Sequence, residues 1–191
     1  GRDRQYSPLF QSLIADWRKQ WKQELPFYFV QLANYLRSQE VQPDSKWAAL
    51  REAQADALSM EGTGMVSAID LGVAQDIHPK NKQALLSLAN TYQRGTYDVP
   101  TFQSYRISGN KLILSFDCEV KAAAGEPKGF IVAGPDQVFH QATATIRGKE
   151  VILESPEVEI PIAARYGWAD NPECNLYGIA GLPVAPFRTD K

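Results

Sequence analysis

The chain has little of what usually assigns a class at a glance. It holds two cysteines, Cys118 and Cys174, too few for a disulfide framework. Whether the two pair depends on the compartment and stays open. Positive charge is not in excess: 20 Lys and Arg against 22 Asp and Glu leave a net charge of −2. That removes the electrostatic case for nucleic acid or an anionic membrane as partner. No apolar run approaches the ~18 residues of a membrane span. The longest, Leu25 to Leu36, is interrupted by Gln31 and Asn34. There is no low-complexity tract and no internal repeat, and the 12 prolines are scattered. The start, Gly1-Arg2-Asp3-Arg4-Gln5, is polar and has neither a signal-peptide pattern nor an initiator methionine. It reads as a processed, engineered or fragmentary beginning. Histidine is scarce, with His78 and His140 alone, and no serine sits in a nucleophile-type motif.

What is present is ordinary in bulk and distinctive in order. The 191 residues suit one large domain or two small ones, and 44% hydrophobic content can build a sizeable core. Leu9, Phe10, Leu13, Ile14, Trp17 and Trp21 recur at helical spacing and predict a helix over 8–22, with all four tryptophans of the chain read as core. Phe27 to Leu32 reads as a strand buried on both faces. Pro43-Asp44-Ser45 starts a second helix, capped by Asp44 or Ser45, with Trp47, Leu50, Ala53, Ala57 and Leu58 on one side. Gly62 and Gly64 end it, and Met65 to Ile69 is the next strand. A third helix is expected from Pro79, through Leu85, Leu88, Ala89 and Tyr92, to about Gly95. Alternating helices and strands predict an α/β layer with a parallel sheet, whose two strands here would need others from outside this chain.

After Pro100 the pattern changes. Segments near 103–108, 111–116, 129–133, 137–147, 150–154 and 160–166 carry strand patterning, separated by turns at Gly109-Asn110, Gly134-Pro135-Asp136 and Gly148-Lys149. They predict an antiparallel β-sandwich, and the boundary falls at 1–97 and 98–191. The stretch from Arg165 onward reads as an irregular tail.

One loop carries chemistry. Asp76-Ile77-His78-Pro79 follows a predicted strand, where open α/β folds place active-site groups. Histidine is the usual general base at neutral pH, and a nearby carboxylate can orient its ring. Asp70, Asp76 and His78 form too small a cluster to suggest a metal site. His140 falls in a predicted strand and reads as structural.

Several segments in order resemble the sialate O-acetylesterase family, a branch of the SGNH hydrolases. They include Leu25-Pro26-Phe27-Tyr28-Phe29-Val30-Gln31-Leu32-Ala33-Asn34-Tyr35, Trp47 to Gln54, Ile69-Asp70-Leu71-Gly72 running into Asp76-Ile77-His78-Pro79, Gly129 to Gly134, Arg165 to Asp170, and Pro186 to Asp190. The resemblance implies the C-terminal portion of a serine esterase removing O-acetyl groups from sialic acids. The fold implied is part of an SGNH-type three-layer parallel-sheet domain followed by the sandwich. The family's Gly-Gln-Ser-Asn and Gly-Glu-Ser-Asn motifs are not in this chain. Gly1 to Tyr6 is similar to the sequence just after the second. The resemblance therefore implies a partner, the N-terminal portion carrying the nucleophilic Ser as a separate piece. It makes His78 the catalytic base and Asp76 its orienting carboxylate, with Asp70 in reserve because position 75, where the family more often has its Asp, is Gln75. Gln31 and Asn34 are expected to line the substrate cleft. No cofactor is implied, and a secreted, periplasmic or lysosomal setting is. The rival readings are an esterase for acetylated polysaccharide such as acetylxylan, and a non-catalytic carbohydrate-binding protein on the same fold.

Overall fold

A computed structural model describes residues 2–78, 80–81 and 100–190 of the chain. The expected third helix from Pro79 to about Gly95 lies outside these residues.

The first helix, α1 (Asp3–Trp21), starts earlier than expected and carries Pro8 inside it. It stops where Lys22 adopts a left-handed φ of 53° and its N–H turns back to the Arg18 and Lys19 carbonyls. Phe10 meets Phe27 and Phe29 edge-on, and Ile14 is fully buried. The rest of the expected core stripe is not core. Leu9, Leu13, Trp17 and Trp21 are 65%, 42%, 50% and 68% exposed. A stripe this wide needs two layers to cover it, and α1 turns its Phe10–Ile14 side inward.

Strand β1 (Phe27–Val30) pairs in parallel with β2 (Thr63–Val66), Phe27 opposite Thr63 and Val30 opposite Val66. Both strands are shorter or earlier than their apolar runs suggested. Burial on both faces is also not observed, since Tyr28 and Val30 are 56% and 43% exposed. Among the described residues the parallel part consists of this one pair, and a three-layer sheet is not seen.

Between the strands lies α2 (Lys46–Ala55), followed by a 3₁₀ turn over Asp56–Ser59. Ser45 is its cap, its hydroxyl accepting from the Ala48 N–H at 3.0 Å. The helix buries Ala48, Arg51, Ala53 and Gln54, and the 3₁₀ turn buries Ala57; Ala53 and Ala57 are as expected, whereas Leu58 is exposed.

The C-terminal half is antiparallel. One sheet has the order β3 (Phe102–Ser108), β4 (Lys111–Phe116), β9 (Glu150–Glu154), β8 (Thr143–Arg147). The other has β12 (Phe187–Arg188), β10 (Ala163–Tyr166), β6 (Phe130–Ala133), β7 (Phe139–Gln141). They enclose one core that includes Leu112, Leu114, Val151 and Leu153 from the first and Phe130, Val132, Ala164 and Tyr166 from the second. Each such side chain contributes about 1.5–3 kcal/mol by leaving water. The β3–β4 and β8–β9 turns place Gly109 and Gly148 at φ of 62° and 61°, as hairpins of this hand require. The expected segment 137–147 divides at Ala142, so one continuous run serves both sheets as β7 and β8. The expected irregular tail in fact holds β11 (Leu176–Gly178), paired with β5 (Val120–Ala122), and also β12.

The two halves are bound tightly where α2 meets the residues after β10. Arg51 is fully buried and donates to the carbonyls of Leu32, Ala33, Ala169 and Asp170 at 3.0, 3.2, 2.8 and 2.7 Å. Asp170 accepts from the Ser45 hydroxyl at 2.6 Å and from Gln42 at 2.7 Å. The Arg165 guanidinium and the Trp168 indole both donate to the Pro43 carbonyl. Arg188 pairs with Glu52 at 3.1 Å.

Candidate active site

The parallel pairing of β1 and β2 brings their C-terminal ends side by side. Gln31 N–H donates to the Val66 carbonyl at 2.8 Å, so the loops beginning at Gln31 and Ser67 leave the sheet together. This is the edge at which open α/β sheets gather their ligands and catalytic groups.

The second of these loops carries His78. Asp76 Oδ1 accepts from the His78 backbone N–H at 2.9 Å and lies 3.3 Å from the ring Nδ1. An aspartate bonding the amide two residues ahead closes a local turn by itself. Here the same oxygen also faces the ring. Donation from the His78 amide, then from the ring, and the nearby charge of Lys80 hold the Asp76 carboxyl below the usual carboxylate range. It is therefore ionised at neutral pH. A carboxylate against Nδ1 favours the tautomer whose Nε2 carries the lone pair, the arrangement a general base needs. The 3.3 Å separation is long for a hydrogen bond, as such contacts often are without substrate. The imidazole is 80% exposed and the Asp76 side chain 45%. Among the described residues the ring is open to water, which a reaction of this kind excludes.

The other expected residues fall in different places. Asp70 is engaged elsewhere, accepting from the Tyr177 hydroxyl at 2.6 Å through Oδ2. Asn34 stands against the His78 loop. Its Oδ1 accepts from the Gly72 N–H at 2.7 Å, and its amide donates to Asn171 Oδ1. Asn171 in turn donates to the Leu36 carbonyl at 2.7 Å. Gln31 is 1% exposed, its Nε2 donating to the Arg51 carbonyl and its Oε1 accepting from Ser67. With both ends of its amide used inside the fold, Gln31 is a tie between β1, α2 and β2, not a wall of a cleft.

Sequence reasoning missed two residues from far along the chain: Tyr177, which reaches this loop at Asp70, and Asn171, which holds Asn34 and Leu36 in the loop after β1. Both lie in the stretch read as an irregular tail. The signal available was composition: a polar Asn and a Tyr within an ordered, Gly- and Pro-rich run. His140 is held by Glu157 at 3.2 Å on β7, as a structural residue would be. Cys118 and Cys174 are not joined in a disulfide. Burial pushes the Cys174 thiol up to about 12, so it stays protonated beside Tyr166. A cleft of about 300 Å³ lined by Glu40, Lys128, Gln141 and Trp168 opens elsewhere, and no residue of the 70–78 loop lines it.

No family model matches the chain, and no curated protein does. Among solved structures it is similar to one described as a novel carbohydrate acetylesterase from Xanthomonas citri, with a TM-score of 0.89 and 39% identity. The match covers 98% of this chain and 46% of that one. The chain thus spans less than half the length of the protein it resembles.

Proposed function

We propose that this chain supplies the general base of a carbohydrate O-acetylesterase. The observation that carries the reading is the His78–Asp76 pair at the C-terminal end of a parallel strand pair, in a chain similar over 98% of its length to a carbohydrate acetylesterase. His78 takes the proton from a serine hydroxyl as it attacks the acetyl carbonyl, then returns it to the departing sugar oxygen. Asp76 keeps the ring in the right tautomer and steadies the imidazolium. The serine and the oxyanion-hole donors come from an N-terminal portion carrying Gly-Gln-Ser-Asn, which fits an SGNH-type three-layer sheet. Three features support that partner. Large apolar side chains of α1 and β1, namely Leu9, Leu13, Trp17, Trp21, Tyr28 and Val30, are exposed. Among the described residues the parallel sheet has two strands. The His78 ring faces solvent.

Within acetylated carbohydrates, O-acetyl sialic acid is the substrate the sequence resemblance favours, with secretion, periplasm or lysosome as the setting. Acetylated polysaccharide is the second reading, because the similar structure is described as a carbohydrate acetylesterase in general. The test is acetate release from O-acetylated sialic acid and from acetylxylan by the complete enzyme, with and without His78→Ala. The substitution is expected to lower kcat by at least about 10²–10⁴, the usual worth of acid–base help. Retained activity would overturn the assignment. The faster of the two substrates decides the sugar.

A further inference from the structure

A base is useful only if the loop that carries it is held, and most of the hold on this loop comes from outside it. Internally, residues 68–76 have the backbone bonds Leu71 N–H to Ala68 and Asp76 N–H to Val73. Externally, Gly72 N–H bonds to Asn34, Ala74 accepts from Leu36 N–H at 3.2 Å, and Asp70 accepts from Tyr177. The first two ties come from the neighbouring loop after β1. Among the described residues only Tyr177 belongs to the antiparallel half, 107 residues away in sequence.

The geometry of β11 explains how a strand residue reaches so far. Side chains alternate along a strand, so Leu176 and Gly178 face inward and are buried, and Tyr177 points out. The strand is fixed on both sides, by β5 through Tyr177 opposite Lys121 and by an isolated bridge between Tyr177 and Pro183. The phenol is therefore presented from a rigid support. At 2.6 Å to a carboxylate oxygen its bond is short and charge-assisted. Partial burial and the bond to Asp70 both push the hydroxyl above its usual range, so it keeps its proton to donate at neutral pH.

We propose that Tyr177 is a positioning residue for His78: by holding Asp70 it lets the antiparallel half set where the loop delivers the base. This rests on the reading of His78 as that base. The Tyr177–Asp70 bond fixes the loop four residues beyond the end of β2, and Gly72 and Ala74 are fixed on its other side by the loop after β1. Without Tyr177 the loop keeps one of its two supports among the described residues. A displacement of about 1 Å in a catalytic group can cost about 10² in rate.

The test compares wild type, His78→Ala, Tyr177→Phe, Asp70→Ala and Asp70→Asn in the complete enzyme, together with amide exchange. Tyr177→Phe and Asp70→Ala should each lower kcat about 10- to 100-fold with KM within about twofold, since positioning acts on the transition state. Asp70→Asn still offers an oxygen to the tyrosine and should recover most of the kcat lost in Asp70→Ala. Exchange at Gly72 and Ala74 should quicken at least about tenfold in Tyr177→Phe while the amides of β4 and β9 keep their protection. An inactive His78→Ala beside a Tyr177→Phe of unchanged kcat overturns the proposal and leaves the function standing. So does an Asp70→Asn as impaired as Asp70→Ala, which would show the charge acting directly. An active His78→Ala overturns the function itself. If Tyr177→Phe does not fold, Asp70→Ala at its exposed position gives the same decision.

Discussion

Replacing Arg51 tests whether the two halves are held as one piece. Its guanidinium has no exposed surface and donates to the carbonyls of Leu32 and Ala33 after β1 and of Ala169 and Asp170 after β10. Burial pushes it down to about 10, so it remains charged at neutral pH. Arg51→Ala leaves those carbonyls without their donor and opens a cavity. Each hydrogen bond to a charged group is worth about 1.5–3 kcal/mol, but the sum overstates the loss because water enters and the carbonyls find other partners. Removing one side of a buried charged contact typically costs about 3–5 kcal/mol, and that is the expectation here. For a chain of this length it corresponds to a melting temperature lower by ~6–20 °C. Arg51→Lys keeps the charge but replaces a planar fork with one ammonium, so about 2 kcal/mol should be lost. Urea unfolding followed by tryptophan fluorescence measures both, because Trp47 and Trp168 flank the contact. An Arg51→Ala loss below ~1 kcal/mol, or an Arg51→Lys indistinguishable from wild type, would refute this account of the junction.

Two further outcomes follow from contacts near the loop and the C-terminus. Gly72→Ala places a Cβ on top of the Asn34 backbone carbonyl, which cannot swing aside as a side chain would. It should cost about 1–3 kcal/mol in denaturant and reduce kcat, whereas an unchanged melting curve would show the two loops less closely joined than the geometry requires. Asp190 is paired with Arg165 at 2.6 Å. Burial alone would raise its carboxyl, but the Arg165 fork outweighs that and leaves it below the usual range. A carboxylate depressed by folding adds stability above its unfolded value of about 3.9, and that stability is lost as pH falls through the folded value. Asp190→Asn should therefore be less stable than wild type at pH 7, with the gap closing below about pH 4. A gap independent of pH would place the effect elsewhere than in the charge.

Sequence by itself decided whatever depends on neighbours along the chain. Ser45 caps α2 because a hydroxyl before a helix needs only the amide three residues on. The hairpins at Gly109 and Gly148 formed where expected because the turn demands positive φ and only those residues supply it without strain. Asp76 meets His78 because two residues of separation suffice for a turn. These local rules marked the loop and most of the antiparallel strands.

Tertiary structure alone decided what depends on distant partners. The apolar stripe of α1 is the same in sequence whether Trp21 is core or surface, and only the number of layers packed on it chooses. Burial of Arg51 was not legible, since its acceptors lie at 32, 33, 169 and 170 and no spacing within α2 reveals them. The run 137–147 could not show that it would cross between sheets at Ala142, because a strand's pattern does not say which sheet it joins. The tie from Tyr177 to Asp70 exists only once β11 is laid beside β5 and the loop beyond β2 is brought under it. Periodicity reports which side of an element is apolar, and folding decides what that side, or the opposite one, will touch.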